Sequence, residues 1–276
     1  MAGLPRRIIC LTEETTETLY LLGEEDRIVG ISGYTVRPPE ARRKPKVSAF
    51  INAKFDKILK LEPDLVLAFS DLQADIVAEL IRRGVTVLTF NQRSVDEILG
   101  MMMLLANVVG VPEKGELLVS QMESGLQGIR ESAARFRNRP RVLFEEWADP
   151  LICGIRWVEE LIEIAGGDPI FPELRFGKNG KDRIVDASTV IAKDPEIIVA
   201  SWCGVKVNKT RIRSRSGWSD VSAVKNDDIY EIKSTYILQP GPAALTEGVR
   251  QLHAIFAQRA GVEVPLSLHP EERRAV

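Results

Sequence analysis

The sequence predicts an α/β protein built as two Rossmann-like lobes joined by a single long helix, with a ligand cleft between the lobes. Three observations carry this. Short, unalternating apolar runs of the kind buried parallel strands show alternate with helical patterns through both halves of the chain. The stretch from Pro112 to Arg139 puts Leu118, Met122, Leu126, Ile129, Ala133 and Phe136 on one helical stripe. At about 1.5 Å per residue it would run roughly 40 Å, longer than a crossover inside one small layer requires. Finally, Lys60-Leu61-Glu62-Pro63-Asp64-Leu65-Val66-Leu67-Ala68 is echoed by Ala192-Lys193-Asp194-Pro195-Glu196-Ile197-Ile198-Val199-Ala200 in its proline, acid, aliphatic triplet and final alanine. Glu17 to Gly23 rhymes in the same way with Glu160 to Gly166. The expected division is an N-terminal lobe over 1–110, an interlobe helix over 111–139, and a C-terminal lobe over 140–276 with a frayed tail from about 261.

The elements follow in order. Arg7 to Leu11 is a strand, and Thr12-Glu13-Glu14-Thr15-Thr16-Glu17 opens a helix that Gly23 stops. Arg27 to Ile31 and Pro45 to Phe50 are strands, with Pro38-Pro39 in the loop between them. A helix from Ala53 to Leu61 precedes the strand ending at Phe69. Gln73 to Arg83 is helical and Val85 to Phe90 is a strand. Ser94 with Glu97 forms a capping box for a helix to Val109, and Pro112 opens the long helix. Beyond it come a strand from Arg141 to Trp147, a turn at Asp149-Pro150, and a helix from Arg156 to Ala165. A Pro-, Gly- and Lys-rich loop then runs from Asp168 to Asp182. Asp186 caps a short helix, Pro195 to Ser201 is a strand, and Lys206 to Arg215 is a basic loop. Trp218 to Val224 is a helical turn, Asp228 to Lys233 a strand, and Gln239-Pro240-Gly241-Pro242 breaks the chain before a last helix ending near Ala260.

Composition narrows the function. With 276 residues, 45% hydrophobic and 28% charged, the chain resembles an ordinary globular protein. A formal net charge of −2 gives nucleic acid no electrostatic invitation. Cys10, Cys153 and Cys203 form no CxxC pair and only His253 and His269 accompany them, so no zinc site is expected. No apolar stretch is long enough for a membrane span. Residues 1–7 lead straight into the first strand without an apolar leader, which sets cytoplasm as the expected location. A periplasmic or cell-surface location is the alternative if the start lies upstream. Cys10 reads as a buried strand cysteine rather than a lipid anchor.

In open parallel sheets, ligands bind beyond the carboxyl ends of the strands. Tyr34, Phe50, Phe69 and Phe90 follow or end strands of the first lobe, and Trp147 and Trp202 do so in the second. Aromatics form only 6% of the chain, so six at strand exits suggest walls for a large, flat, partly apolar ligand. Glu145, Glu146, Arg156, Arg183 and Gln239 lie at neighbouring termini, where they could grip amides, carboxylates or a phosphate. Lys206, Lys209, Arg211, Arg213 and Arg215 read as a solvated loop, with an anionic ligand or acidic partner as the alternative. Catalysis is not expected. The chain has no phosphate-binding loop of the G-x-x-x-x-G-K-[ST] kind, and a Cys203 thiol with His253 as its base, or reactive Glu145 and Glu146, would be the enzyme reading. Few histidines also disfavour axial coordination of a haem or corrin metal.

Arg7-Ile8-Ile9, Thr16-Glu17, Leu22-Gly23, Ile28-Val29-Gly30, Lys46-Val47-Ser48, Glu62-Pro63-Asp64, Gly166-Gly167, Asp194-Pro195-Glu196, Trp218, Ala223-Val224 and Ile229-Tyr230 together follow a known pattern. Over residues 6 to 260 the chain resembles the cobalamin and siderophore class of substrate-binding proteins, whose best-known members feed ABC importers. It looks most like the cobalamin-binding ones. The resemblance implies a single rigid bridging helix, no cofactor, and a macrocyclic ligand: a corrinoid, or alternatively a ferric siderophore or haem. Tyr34 stands where such proteins place a ligand-contacting aromatic. Phe144 to Trp147, Gly154 to Trp157, Ser201 to Gly204 and Leu238 to Pro242 look like a subgroup's own site, which adds Trp157 to the candidates. Importer-coupled members present a glutamate on each lobe to an ABC permease. Here those positions fall at Asp56 and Ser188, and serine forms no ion pair.

Overall fold

The computed structural model describes residues 3–270. It divides into two compact units. The first runs to Met122 and takes in Pro240–Pro242; the second covers Glu123–Gln239 and resumes at Ala243. Both units are α/β.

In the first unit the order is β1 (Ile8–Cys10), α1 (Glu13–Leu21), β2 (Ile28–Ser32), β3 (Lys46–Ala49), β4 (Asn52–Ala53), α2 (Phe55–Lys60), β5 (Leu65–Phe69), α3 (Ala74–Arg82), β6 (Val87–Phe90) and α4 (Val95–Val108). The strands form one sheet in the order β4-β3-β2-β1-β5-β6, parallel except for the short β3–β4 hairpin. All five residues of β5 are buried, as a run without alternation requires when helices cover both faces. Ile9, Leu11, Val47, Ile58, Val66, Ala68, Ile76 and Leu80 make the core. Cys10 is fully buried, and burial pushes its thiol up to about 12. Ser94 caps α4 by accepting the Glu97 backbone N–H at 3.2 Å. The expected capping box is shifted by one residue, because the Glu97 carboxylate reaches the Arg93 N–H rather than that of Ser94.

The long helix α5 spans Pro112–Ala133, 22 residues and so about 33 Å. Its predicted stripe, Leu118, Met122, Leu126, Ile129, Ala133 and Phe136, is buried throughout. The helix ends at Ala133, before Phe136, which continues the stripe from the turn that follows.

The second unit runs β7 (Arg141–Ala148), β8 (Leu151–Cys153), α6 (Arg156–Ala165), β9 (Asp168–Pro169), α7 (Ala187–Lys193), β10 (Ile197–Ala200), α8 (Lys209–Arg213), α9 (Ser222–Lys225), β11 (Ile229–Glu231), α10 (Ser234–Ile237) and α11 (Val249–Ala260). Its sheet has the order β11-β10-β7-β8, with β9 also on β7. The hairpin strand β8 was not expected, nor was the turn of helix α8 inside the basic loop, which Asn208 caps through the Arg211 N–H at 3.0 Å. Asp186 precedes α7 but makes no side-chain cap bond. In the segment expected to fray, Arg135 donates to the Glu263 carbonyl at 3.4 Å; residues 271–276 lie outside the described residues.

The sequence repeat extends to backbone geometry. Glu62 and Asp194, each before its proline, both have positive φ, 46° and 42°. The acid after each proline accepts backbone N–H bonds at the start of the neighbouring strand: Asp64 from Arg6 and Arg7, Glu196 from Arg141. Arg7 and Arg141 each return a guanidinium to carbonyls of the same turn, Leu61 and Glu62 in one unit and Asp194 in the other.

Candidate functional site

The loops at the carboxyl ends of each sheet carry an unusual share of exposed apolar surface. Of the 14 large hydrophobic side chains exposed among the described residues, seven lie there, Tyr34, Val36, Ile51 and Leu72 in the first unit and Phe176, Ile184 and Val205 in the second, and an eighth, Trp147, stands near the end of β7.

In the first unit, buried Gln73 staples two of these loops together. Its Nε2 donates to the Phe50 carbonyl at 2.7 Å and its Oε1 accepts the Phe69 N–H at 2.9 Å. Phe50 takes a positive φ of 43° at the tip of the β3–β4 hairpin and is half-buried, which leaves Ile51 outward at 62% exposure. Phe69 and Phe90 are register partners at the ends of β5 and β6, and both are buried. The Arg93 guanidinium lies 5.2 Å over the Phe69 ring and pairs with Asp71 at 3.2 Å. Tyr34 is 58% exposed on the turn after β2, which Ser32 fixes by accepting the Tyr34 N–H at 3.2 Å.

A feature the sequence reading missed lies beside this rim. The first turn of α1 is buried although it is polar, and burial pushes Glu13 up to about 7 and Glu14 to about 8. Thr12 donates to Glu14 at 2.6 Å, and Glu17 pairs with Arg37 at 3.0 Å. The Pro240–Pro242 segment packs here. Gln92 donates to the Pro240 carbonyl at 2.9 Å, and Gly241 approaches so closely that a Cβ would stand 2.4 Å from Glu14 Cβ. The Thr-Glu-Glu-Thr pattern signals a helix start and says nothing about burial.

In the second unit, Trp147 of β7 stands opposite Ile152 of β8, and Ile152 bridges in turn to Ile184. Directly opposed residues on antiparallel strands share a face. Trp147, Ile152 and Ile184 therefore form one apolar row, exposed at both ends. The Trp147 indole is oriented by its bond to the Asp149 carbonyl at 3.1 Å.

Five residues expected at the ligand, Glu145, Glu146, Trp157, Arg183 and Trp202, are engaged inside this unit. Glu145 is fully buried, bound by Arg215 at 2.6 and 2.9 Å and by the Trp202 indole N–H at 3.0 Å. Trp202 belongs to the unit's core, and the Trp157 indole donates to the Ile237 carbonyl at 3.0 Å from an equally buried position. Arg183 is buried against Glu146, at 2.6 Å, and the Cys153 carbonyl. Arg183, Trp202 and Arg215 thus tie down the β7–β8 hairpin through Glu145, Glu146, Ala148 and Cys153. Arg156, half-buried, bonds Glu160 at 2.8 Å, and Gln239 is half-buried before the Pro240 segment. The basic loop is tied down rather than free: Arg211 pairs with Asp149, Arg213 with Asp227, and Lys209 stacks on Tyr230.

Cys203 is exposed, whereas His253 is buried with one ring nitrogen bonded to the Ala165 carbonyl and the other to Ser132 Oγ, both at 2.9 Å. No nitrogen is left to accept a thiol proton. Among the described residues no three His, Cys, Asp or Glu side chains gather as metal ligands, and no helix is long and apolar enough to cross a membrane.

Comparison with known proteins places this architecture. The family model described as "Periplasmic binding protein" matches residues 8–236. The chain belongs to that family. An ABC transporter substrate-binding lipoprotein of Bacillus subtilis, YvrC, whose function is uncharacterised, is 29% identical over 90% of this chain and 79% of its own length. The vitamin B12-binding protein of Vibrio cholerae is 26% identical over 87% of this chain and 85% of its own. The crystal structure of BtuF, the periplasmic vitamin B12-binding protein of Vibrio cholerae, superposes with a TM-score of 0.74 at 25% identity, covering 94% of this chain and 99% of that one. The haem-binding protein RhuT of Roseiflexus superposes at 0.79 with 23% identity, over 94% and 100% respectively. In this chain, Asp56 on α2 and Ser188 on α7 are both exposed, and Asp56 lies 3.8 Å from Arg83.

Proposed function

We propose that the protein is the non-enzymatic ligand-binding component of an ABC importer and that its ligand is a corrinoid. The observation that carries this is the concentration of exposed apolar side chains on the carboxyl-end loops of both sheets, where a large, flat ligand would find rings and aliphatic edges. The names of its relatives, vitamin B12-binding proteins among them, support the choice of ligand. They also support work outside the cytoplasm, against the cytoplasmic location the sequence suggests, since the named relatives are periplasmic proteins and lipoproteins. In this reading Asp56 offers a permease an anionic contact and Ser188 only a neutral one.

Mixing purified protein with cobalamin should give a complex that co-elutes with its visible absorbance. Trp147→Ala should weaken it by about 1–3 kcal/mol, as loss of an aromatic contact does, which is roughly a 5- to 150-fold rise in Kd. Binding of haem or a ferric siderophore without any binding of cobalamin would replace the corrinoid assignment. Fractionation of the native host, with the protein recovered only from cytoplasm, would remove the importer role.

A further inference from the structure

Phe176 is 70% exposed, an unusual position for a phenylalanine, and the chain around it is held firmly. On one side Arg175 is clamped by both carboxylate oxygens of Glu163, and the Gly177 N–H closes a turn onto the Leu174 carbonyl at 2.9 Å. On the other side Gly177 packs so tightly on Arg183 that a Cβ would stand 2.9 Å from its Cγ, and Asn179 and Asp182 cap each other reciprocally. Arg183 itself is buried against Glu146. The backbone on both sides of Phe176 is thus held in place, and the ring stands in solvent.

Over that ring lies the guanidinium of Arg156, 5.5 Å from the centroid. Arg156 is the first residue of α6, a helix of 10 residues, so its side chain starts where the helix's unpaired N–H groups already favour negative charge. Its Nε is fixed by Glu160 at 2.8 Å, and its two terminal nitrogens have no hydrogen-bond partner among the described residues. The neighbouring acids are engaged elsewhere: Glu163 by Arg175, Glu146 by Arg183, and Asp182 by the Asn179 N–H. Lys178 and Lys181, exposed on the same loop, add positive charge. A planar guanidinium backed by a ring, with its outer edge free, suits the paired oxygens of a carboxylate or phosphate better than a neutral amide. The same loop continues into Ile184, the end of the apolar row.

We propose that Arg156 and Phe176 form a specificity subsite that takes an anionic appendage, a phosphodiester or a carboxylate, carried by an otherwise flat and apolar ligand. The proposal rests on the reading of the rim as the ligand site, and it adds that charge on the ligand's periphery, as well as its apolar face, is recognised.

The test titrates wild type, Arg156→Met, Arg156→Lys and Phe176→Leu with three probes: cobalamin, which bears a phosphodiester; cobinamide, the same corrin without it; and haem, which bears two carboxylates. Arg156→Met should weaken whichever anionic probe the wild type binds by at least about tenfold, while cobinamide binding changes less than about twofold. Arg156→Lys should recover part of the loss, and Phe176→Leu should weaken the same probe. Equal loss for cobalamin and cobinamide, or no loss for either, overturns the subsite and leaves corrinoid binding standing. Binding of haem alone, with dependence on Arg156, overturns the corrinoid reading and leaves the subsite standing. A wild type that binds none of the three overturns both.

Discussion

Glu145 shows how burial decides the job of a single side chain. Its carboxylate sits at 0% exposure between the Arg215 guanidinium and the Trp202 indole, and Arg215 in turn stacks 4.6 Å over the buried Trp218 ring. Removing one partner of a buried pair leaves a charge with neither water nor counter-ion, so Arg215→Met should cost about 3–5 kcal/mol. Pairing it with Glu145→Gln should restore a large part, because the neutral amide needs no counter-charge, and Trp202→Phe should cost about 1–2 kcal/mol for the lost bond. Urea unfolding of the four variants tests this as a cycle; a double variant no more stable than Arg215→Met would mean that the pair does not stabilise the hairpin through its charge. Sequence reasoning picked out Glu145 and Trp202 as strand-end residues and assigned them to the ligand. Their partner Arg215 lies 70 residues downstream, and no local pattern announces that distance.

At the level of elements, two residues with the same sequence signature differ in what they do. Ser94 and Asp186 both read as N-caps, yet Ser94 accepts the Glu97 N–H while Asp186 makes no cap bond. Ser94→Ala should therefore cost about 1 kcal/mol and Asp186→Ala close to nothing. Thermal unfolding that ranks the two in the opposite order would contradict the capping geometry. Strand and helix placement was otherwise legible because it rests on local signals: the apolar run of β5, the stripe of α5, the Pro-acid turn before β5 and β10. What escaped were the shortest elements, β4, β8, β9, α8 and α10, with too few residues for a periodicity to read; among them β8, by pairing to β7, builds the Trp147–Ile152–Ile184 row. Exposure at the strand exits follows a related rule. Strand-terminal aromatics such as Phe69 and Phe90 still belong to the packed layer, whereas the side chains that reach solvent, Ile51, Leu72 and Val205, come one to five residues later, after the turn has carried the chain clear. Turn conformations such as the positive φ at Phe50 and Ser70 set that offset, and composition alone does not encode it.

Across the whole molecule, buried carboxyl groups set how stability responds to pH. Burial pushes Glu14 in the first unit up to about 8, with Glu13 and Glu17 adding repulsion, and Thr12 opposes the rise by bonding Glu14. In the second unit burial pushes Glu159 up to about 8, and Arg175 and Arg183 oppose it while Glu163 reinforces it. A carboxyl group whose folded pKa exceeds its unfolded value of 4.5 stabilises the fold fully below that value, and the contribution is lost as pH rises towards 8. Glutamine mimics the protonated acid at every pH. Glu14→Gln and Glu159→Gln should therefore differ little from wild type near pH 4.5 and should gain on it steadily up to pH 8, by at most about 1.4 kcal/mol per pH unit for each site. The measurement is urea unfolding of wild type and both variants at intervals between pH 5 and 8. Parallel stability curves for all three proteins would show that neither carboxyl group holds its proton in the fold. The Glu159 curve carries a second check, since Gly154 is so close that a Cβ would stand 1.9 Å from Glu159 Oε1. Gly154→Ala should then push the carboxyl group out of its place and flatten the pH slope as Glu159→Gln does, but from a lower stability.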